Sequence, residues 1–183
     1  MRVISGTAKG HKLHTPEGLD TRPTTDRVKE SLFNIIAYDL AQCKFLDLFS
    51  GSGAIGIEAL SRGAQKAVFV DESDMCKQII ERNLNFTKLY DRAIILKKDV
   101  ISAISYLHSM NESFDIIFMD PPYNKGLVEP ALTAIINAEL LKKEGYIIIE
   151  HSSKVLIPSI KGLKVVREKD YKTTSMTFMV LED

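Results

Sequence analysis

The segment Asp120-Pro121-Pro122-Tyr123 is the part of the sequence most suggestive of chemistry, because it directly follows an apolar, strand-like run at residues 114–119. Two consecutive prolines lack N–H donors, hold their own φ near about −65° and restrict the residue before each of them. The chain is therefore expected to leave its strand in a rigid, extended form. The Asp120 side chain and the Pro121 carbonyl can then point together into a cleft.

Two acceptors in this arrangement suit the methylation of an exocyclic amine on a nucleic-acid base. The lone pair of such an amine is delocalised into the ring, and acceptors that hold both N–H bonds can turn it toward an electrophilic methyl group. Positive charge then develops on nitrogen, where the Asp120 carboxylate can stabilise it and take the proton afterwards. Tyr123 offers an aromatic face for stacking an extruded base. Asp120, Pro121 and Tyr123 are the predicted catalytic residues, and the reaction needs no metal.

Residues 51–56, Gly-Ser-Gly-Ala-Ile-Gly, match the glycine pattern of nucleotide-binding loops, because they lie between a predicted strand and a predicted helix. Glycine allows a tight turn and lets a ligand approach the backbone closely. Asp47 precedes Gly51 by four residues, where it would repel the pyrophosphate of a dinucleotide but attract the ammonium and sulfonium groups of S-adenosylmethionine. The pattern around Gly51 and Gly53 therefore favours the methyl donor.

Two further acids lie where a nucleoside could bind. Asp71 follows Gly51 by 20 residues and ends the second predicted strand, where a carboxylate can accept hydrogen bonds from both ribose hydroxyls. Asp99 lies just past the third strand, where it could reach an adenine amino group or cap the next helix. Both interpretations of Asp99 stay open. Glu58 and Glu72 are expected to be surface charges on a helix and in a loop.

The elements that would position these residues alternate between strand and helix from residue 45 onward, which is typical of βαβ units in a parallel sheet. The predicted strands are residues 45–49, 67–71, 93–97, 115–119 and 146–150. The predicted helices are residues 54–62, 73–84, 100–110 and 127–137. Residues 164–171 and 175–180 are separated by a gap of hairpin length, so an antiparallel pair should close the sheet.

The first 44 residues contain one predicted helix and a basic extension. Thr25 or Asp26 can cap the helix. Its apolar positions at helical spacing are Val28, Leu32, Ile35, Ile36 and Leu40. Residues 1–16 are expected to form a hairpin-like extension with Arg2, Lys9 and Lys12 and no acidic residue. On charge alone, a solvated edge and an RNA contact fit this extension equally well.

Composition predicts a single domain over residues 1–183, with residues 1–24 as an N-terminal extension and residues 25–183 as a Rossmann-like core. Basic and acidic residues balance at 24 each, so net charge does not indicate a nucleic-acid partner. Cys43 and Cys76 lack a metal-ligand spacing with the histidines, which predicts buried, reduced thiols. No signal-peptide pattern and no run of roughly 18 apolar residues occurs, so we expect a cytoplasmic protein without membrane contacts. We also expect the protein to be a monomer.

Four blocks carry a resemblance to a known family: residues 2–6 with 9–10, residues 21–33, residues 46–53 and residues 120–123. They resemble RsmD, the bacterial 16S ribosomal RNA guanine-N2 methyltransferases, over nearly the whole chain, and the block from Arg22 to Phe33 is the most family-specific. The resemblance implies an α/β class I methyltransferase fold, with a seven-stranded, mostly parallel sheet, a C-terminal antiparallel hairpin and a short N-terminal extension. It implies methylation of the exocyclic N2 of one guanine of 16S rRNA, within an assembling 30S subunit.

The resemblance also implies roles for individual residues. Asp47, Ser50, Gly51, Asp71 and Asp99 match positions of the S-adenosyl-L-methionine site. Asp120 and Tyr123 match positions of the catalytic site. The family block contributes Arg22, Thr24 and Arg27, which we assign to RNA binding or to organisation of the active site. Lys9 and Lys12 of the basic extension are further candidates for RNA contacts.

Three other functions compete with this interpretation. An adenine-N6 methyltransferase acting on DNA or RNA could use the same Asp-Pro-Pro-Tyr loop, although 183 residues leave little room for a separate DNA-recognition domain. A nicotinamide oxidoreductase is disfavoured by Asp47 and by the lack of an evident acid–base residue for hydride transfer. A non-catalytic RNA-binding or ribosome-assembly protein is disfavoured by Asp120 and Tyr123, because a binding protein needs no amine-holding geometry.

Overall fold

The computed structural model describes residues 1–16, 26–122 and 125–182. Within these ranges, seven strands form one sheet: β1 Lys44–Leu48, β2 Lys66–Asp71, β3 Ala93–Lys97, β4 Phe114–Met119, β5 Leu141–Ser152, β6 Leu163–Asp170 and β7 Thr174–Leu181. Their order across the sheet is β3-β2-β1-β4-β5-β7-β6. The first five strands pair in parallel, whereas β7 runs antiparallel to both β5 and β6. This topology confirms the predicted fold class.

In the described part of the chain, five helices cover the two faces of the sheet: α1 Asp26–Ile35, α2 Ala54–Ser61, α3 Asp74–Thr87, α4 Val100–Ser109 and α5 Val128–Asn137. A short 3-10 turn at Tyr90–Arg92 follows α3. Helices α1, α2 and α3 and the N-terminal extension pack on one face, and α4 and α5 pack on the other. Successive residues of a strand point to opposite faces, so Phe45 and Leu46 of β1 enter different cores. Burial on both faces explains why the central strands are almost continuously apolar.

The observed element bounds differ from the predicted ones mainly in β1 and β5. Strand β1 ends at Leu48, because Phe49 adopts a φ of 62° and turns the chain out of the sheet. Strand β5 begins at Leu141, where that residue pairs with Phe114 before an irregularity in the register. Gly145 lies within this irregularity, and a Cβ there would be 2.7 Å from the Asp115 carbonyl oxygen. Residues 142–145 are not apolar, so the pattern of residue types did not predict this part of the strand.

The N-terminal extension has the predicted hairpin-like form. Arg2 and Lys12 form an antiparallel bridge, and the Val3 N–H donates to the His11 carbonyl at 2.9 Å. Val3, Ala8 and Leu13 are buried against the rest of the fold. At Gly6 the backbone approaches Ser61 so closely that a Cβ would be 1.9 Å from the Ser61 carbonyl oxygen. The extension is therefore packed on the end of α2 and contributes to the core.

The prediction that Glu58 is a surface charge is wrong, because the extension and α1 cover the outer side of α2. The Glu58 side chain is fully buried and lies 3.2 Å from Lys29 Nζ. One of its oxygens accepts the Ile4 N–H at 2.8 Å. The other accepts the Ser5 N–H at 3.0 Å and Arg62 Nε–H at 2.8 Å. Glu58 therefore joins α1, α2 and the extension through one buried carboxylate.

The cysteines and Glu72 have the environments that the sequence predicts. Cys43 and Cys76 are buried free thiols, as predicted, and burial raises the pKa of Cys43 to about 12. Glu72 is exposed in the loop before α3, as predicted. Within the described ranges, no helix is both long and apolar enough to cross a membrane. No group of three or more His, Cys, Asp or Glu side chains in those ranges is arranged to hold a metal ion.

Candidate active site

The glycine loop leaves the carboxyl end of β1 through a series of left-handed residues. Phe49, Gly51 and Gly53 have φ values of 62°, 54° and 76°, a region that residues with a side chain rarely adopt. Ser50 ties the loop to the sheet, because its hydroxyl donates to the Asp47 carbonyl at 2.6 Å and accepts the Val70 N–H at 2.9 Å. The loop is therefore held in one conformation by its neighbours in β1 and β2.

The three glycines of the loop meet different requirements. A Cβ at Gly51 would have no heavy atom within 4 Å, so open space lies above this residue. A Cβ at Gly53 would lie 3.1 Å from Ile80. At Gly56 it would lie 2.4 Å from the Phe69 ring, so this glycine permits α2 to pack closely on β2. Gly51 is thus the position where a ligand can approach the backbone.

Asp47 is a buried acid beneath the loop. Its Oδ2 accepts the Gly56 N–H at 2.9 Å, which directs the carboxylate toward the start of α2. Burial raises the pKa of Asp47 to about 7, and the charge of Asp71 contributes in the same direction, while the hydrogen bond from Gly56 opposes them. A cation bound nearby would favour the ionised form of this acid.

Asp71 joins the glycine loop to the start of α3. Its Oδ2 accepts the Gly51 N–H and its Oδ1 accepts the Ser73 N–H, both at 2.9 Å. A carboxylate has about four acceptor positions, so each oxygen can accept one further hydrogen bond. The half-buried Asp71 is therefore placed to receive hydroxyl groups of a ligand at the edge of the loop.

Asp99 caps α4, as one of its two interpretations predicted. Its Oδ1 accepts the Ser102 N–H at 2.9 Å, and hydrogen bonds from Ser102 lower its pKa. The side chain is exposed, and Lys98 before it donates its backbone N–H to the Asp71 carbonyl at 3.2 Å. Asp99 thus lies at the same edge of the sheet as Asp71.

Asp120 follows the end of β4 and is partly buried, whereas the side chain of Pro121 is buried and Pro122 is exposed. Burial raises the pKa of Asp120 well above its usual value, and the charges of Glu150 and Asp47 raise it further. A carboxyl group with a raised pKa holds a proton more strongly than an ordinary aspartate. Asp120 is therefore suited to accept a proton from a bound group.

Asp47, Asp120 and Glu150 converge because of strand register. Met119 of β4 pairs with Ile149 of β5, so Asp120 and Glu150 are the next residues on adjacent parallel strands. Asp47 pairs with Phe118 of β4, two residues before Asp120. Strand alternation directs all three acids to the face that carries α1, α2 and α3. The site thus combines three carboxyl groups beside the glycine loop.

Sequence reasoning missed Glu150, which is buried two residues before the end of β5. The available signal was its position as the last residue of the predicted strand 146–150. Three predicted site residues, Tyr123, Arg22 and Thr24, lie outside the described residues. Lys9, Lys12 and Arg27 are exposed, and the structure brings none of these three cations into the acidic site.

Comparisons with known proteins agree with this architecture. A family model described as "Conserved hypothetical protein 95" matches residues 1–180. The Bacillus subtilis protein YlbH, named as an rRNA methyltransferase, is 40% identical over 177 residues, which cover 96% of each chain. Ribosomal RNA small subunit methyltransferase D of Escherichia coli K12 is 34% identical over 160 residues, covering 87% of this chain and 79% of that protein.

The solved structures extend the comparison to the fold. The Escherichia coli protein yhhF, described as a methyltransferase, superposes with a TM-score of 0.87 at 29% identity and covers 100% of this chain and 98% of its own. The protein SMU.776, described as a methyltransferase complexed with SAH, is 18% identical with a TM-score of 0.64, over 84% of this chain and 48% of its own. The second likeness concerns the fold alone. Matches over most of their length therefore establish that this chain belongs to the methyltransferase family that includes ribosomal RNA small subunit methyltransferase D.

Proposed function

We propose that this protein transfers a methyl group from S-adenosyl-L-methionine to the exocyclic N2 amine of a guanine in 16S ribosomal RNA. The observation that carries the proposal is the position of Asp120 and Pro121 at the end of β4, beside the glycine loop and two further buried acids. Relatives named as rRNA methyltransferases over most of the chain support the substrate class.

The residues at the carboxyl edge of the sheet fit the proposed cofactor. Open space above Gly51 admits a ligand next to the backbone, and Asp71 has acceptor capacity for two ribose hydroxyls. Asp47 offers negative charge to the methionine end, Asp99 is assigned to the adenine amino group, and Ser50 and Gly53 maintain the loop. When bound, S-adenosylmethionine supplies an electrophilic methyl group.

The chain's own residues prepare the amine for attack. One carboxylate oxygen of Asp120 and the Pro121 carbonyl accept the two N–H bonds of the exocyclic amine, which turns its lone pair out of conjugation with the ring. As the nitrogen becomes positive, the Asp120 carboxylate stabilises that charge and then takes the proton. The raised pKa of Asp120 favours this last step. Tyr123 is assigned to stacking against the extruded base.

We infer that residues 1–183 act as a single methyltransferase domain with residues 1–24 as its extension, in the cytoplasm and as a monomer. The substrate is 16S rRNA within an assembling 30S subunit, where ribosomal proteins can supply part of the binding surface. Balanced charges of 24 basic and 24 acidic residues suit such a partly protein-coated partner.

Methyl transfer from labelled S-adenosylmethionine tests the proposal directly. Unmethylated small subunits, protein-free 16S RNA and duplex DNA are compared in parallel, and the digested nucleosides are identified by mass spectrometry. N2-methylguanosine from the small subunit is the expected product. N6-methyladenine would keep the mechanism but replace the substrate, and transfer to none of the three acceptors would contradict the proposed function.

Asp71→Ala is expected to weaken cofactor binding at least about tenfold, because each lost hydrogen bond to a charged group is worth roughly 1.5–3 kcal/mol. The loop would also lose its acceptor for the Gly51 N–H. Calorimetric titration with S-adenosylmethionine measures the effect. Asp74→Ala is the matched control, since Asp74 is an exposed acid three residues further along. Equal affinities of the two variants for S-adenosylmethionine would show that Asp71 does not bind the cofactor.

Reversing the charges of Lys9 and Lys12 to Glu is expected to weaken RNA binding without changing cofactor affinity. Both lysines are exposed on the extension, and His11, which lies between them in the sequence, contacts the half-exposed ring of Phe86 edge-on at a centroid distance of 5.0 Å. A basic surface beside an aromatic ring is typical of nucleic-acid contacts. Filter binding of 16S RNA at several salt concentrations measures the change. Unaltered RNA binding would show that the extension is a solvated edge and does not contact RNA.

A further inference from the structure

A groove lies between α1 and the end of β6, apart from the acidic site. Its floor and walls are lined by residues of these two elements alone: Arg27, Glu30, Ser31, Asn34, Ile35, Arg167 and Lys169. The α1 residues recur at spacings of three and four, so they form one face of the helix. The opposite face of α1 enters the core through Lys29, Leu32 and Phe33. The groove is thus the outer side of a helix whose inner side is buried.

A bulge in β6 directs its cations toward this groove. Val165 pairs with Met179, but the next pair is Arg167 with Phe178, so Val166 is an extra residue. Phe178 belongs to the core beneath α1, whereas Met179 belongs to the other core. Because a shift of one residue moves a side chain to the opposite face, the bulge turns Arg167 and Lys169 toward α1. An unbulged strand would present Val166 and Glu168 there.

The groove carries more positive than negative charge. Arg27, Arg167 and Lys169 contribute three cations, and Glu30 contributes one acid. Among the described residues, no salt bridge joins any of these three cations to a carboxylate. The Arg167 guanidinium lies 5.9 Å from the centroid of the Phe178 ring. This cation–π contact restricts the position of the guanidinium, and its N–H donors remain accessible. In a protein of zero net charge, this is a local concentration of donors suited to phosphate oxygens.

The groove lies close to the acidic site in the direction across the strands of the sheet. Lys169 pairs with Met176, Met176 pairs with Glu150, and Glu150 adjoins Asp120, so the four residues form one row across β6, β7, β5 and β4. Neighbouring strands are about 4.8 Å apart, so Lys169 lies roughly 14 Å from Asp120. The Tyr171 hydroxyl donates to Ser31 Oγ at 2.8 Å and joins the end of β6 to α1. The geometry holds the groove in a fixed position relative to Asp120.

We propose that this groove binds the phosphate backbone of the RNA strand next to the target nucleotide. The inference rests on the proposed RNA substrate and adds a docking surface to it. Nucleotides flanking an extruded base must be held while the base occupies the active site. Arg27, Arg167 and Lys169 form no salt bridge with another described residue. Their side chains can supply contacts that are independent of base identity.

The test compares two charge-matched double variants. Arg167→Gln with Lys169→Gln removes two groove cations. Lys143→Gln with Lys161→Gln removes two exposed lysines from the opposite end of the sheet. Lys143 lies at the start of β5 and Lys161 lies just before β6. Binding of unmodified 16S RNA and of unmethylated small subunits is measured at several salt concentrations, together with calorimetric affinity for S-adenosylmethionine and thermal unfolding. Lys169→Gln alone serves if loss of the Arg167 contact with Phe178 destabilises the fold.

The groove variant is expected to bind RNA at least about tenfold more weakly and to show a salt dependence about 1 to 2 units shallower in log–log slope. The control variant should match the wild type, and cofactor affinity should be unchanged in both. RNA binding by the groove variant equal to the control would overturn the proposal, as would a loss seen only with protein-containing subunits, which would indicate a protein partner. Wild-type protein that binds neither 16S RNA nor small subunits would instead contradict the proposed function together with the groove.

Discussion

Asp120→Asn is expected to reduce methyl transfer by about a thousandfold, with S-adenosylmethionine affinity changed by less than about twofold. Asparagine keeps the size of the side chain but cannot accept the proton or balance the positive charge that develops on nitrogen. The side chain lies beyond the end of β4, and the glycine loop makes its hydrogen bonds through other residues. Single-turnover methylation of small subunits, with calorimetry for the cofactor, measures the two effects separately.

The matched control for this variant is Asp115→Asn, in the strand that precedes Asp120. Asp115 lies at the opposite end of β4, where it accepts the Lys44 N–H at 2.7 Å and forms an ion pair with Lys142 at 2.8 Å. We expect the control to retain near wild-type transfer, since it changes the same functional group far from the site. An Asp120→Asn variant that remains within tenfold of the wild type would show that two neutral acceptors suffice for the reaction.

The raised pKa of Asp120 adds a pH dependence to this prediction. Burial and the charges of Glu150 and Asp47 disfavour its ionised form, so the carboxyl group keeps its proton to a higher pH than an ordinary aspartate. The wild-type rate should therefore rise with pH as the group ionises. Asp120→Asn should lack this rise, because its side chain has no proton to lose. A pH profile of equal shape in both proteins would assign the rise to another group.

Glu58→Gln is expected to lower the free energy of unfolding by about 3–5 kcal/mol, because it leaves the buried Lys29 without its compensating charge. Both side chains are fully buried and lie 3.2 Å apart. Lys29 also donates to the Arg2 carbonyl, and its pKa is lowered mainly by burial, with Glu58 acting against that effect. Urea unfolding at neutral pH measures the loss.

A second variant separates charge imbalance from lost packing. Lys29→Met combined with Glu58→Gln removes both charges, so its destabilisation should be smaller than the sum of the two single effects. The control is Glu81→Gln, which breaks the half-exposed Lys77–Glu81 pair and should change stability by less than about 0.5 kcal/mol. Additive single and double effects would mean that Lys29 and Glu58 do not stabilise each other.

The buried pair also explains how the extension reaches its position. Glu58 accepts the backbone N–H groups of Ile4 and Ser5, and α1 supplies Lys29 from the other side. The Arg62 guanidinium lies 5.1 Å from the centroid of the Phe33 ring, which adds a contact between α1 and the end of α2. Loss of the carboxylate should therefore increase local unfolding of residues 1–16 more than unfolding of the sheet. Faster amide hydrogen exchange at Ile4 and Ser5 in Glu58→Gln would reveal this.

Much of the site could be predicted because its determinants are local in the chain. Proline restricts its own backbone and that of the preceding residue, so the exit from β4 at Asp120 follows from three adjacent residues. The glycine loop and Asp71 at the end of β2 follow from strand-and-helix periodicity and from the need for left-handed turns at Gly51 and Gly53. Asp99 remained open between two roles, because a helix cap and a ligand contact use the same carboxylate.

Residue types and spacing alone determined the α/β alternation, the order of its elements along the chain, the position of Asp47 within the first strand and the positions of Asp71 and Asp120 at strand ends. Only the tertiary structure decided that Glu150 lies beside Asp120, that Glu58 is buried, and that a bulge in β6 turns Arg167 and Lys169 toward α1. Backbone restrictions act between neighbours in sequence, whereas burial and charge interactions depend on strands and helices brought together from distant parts of the chain.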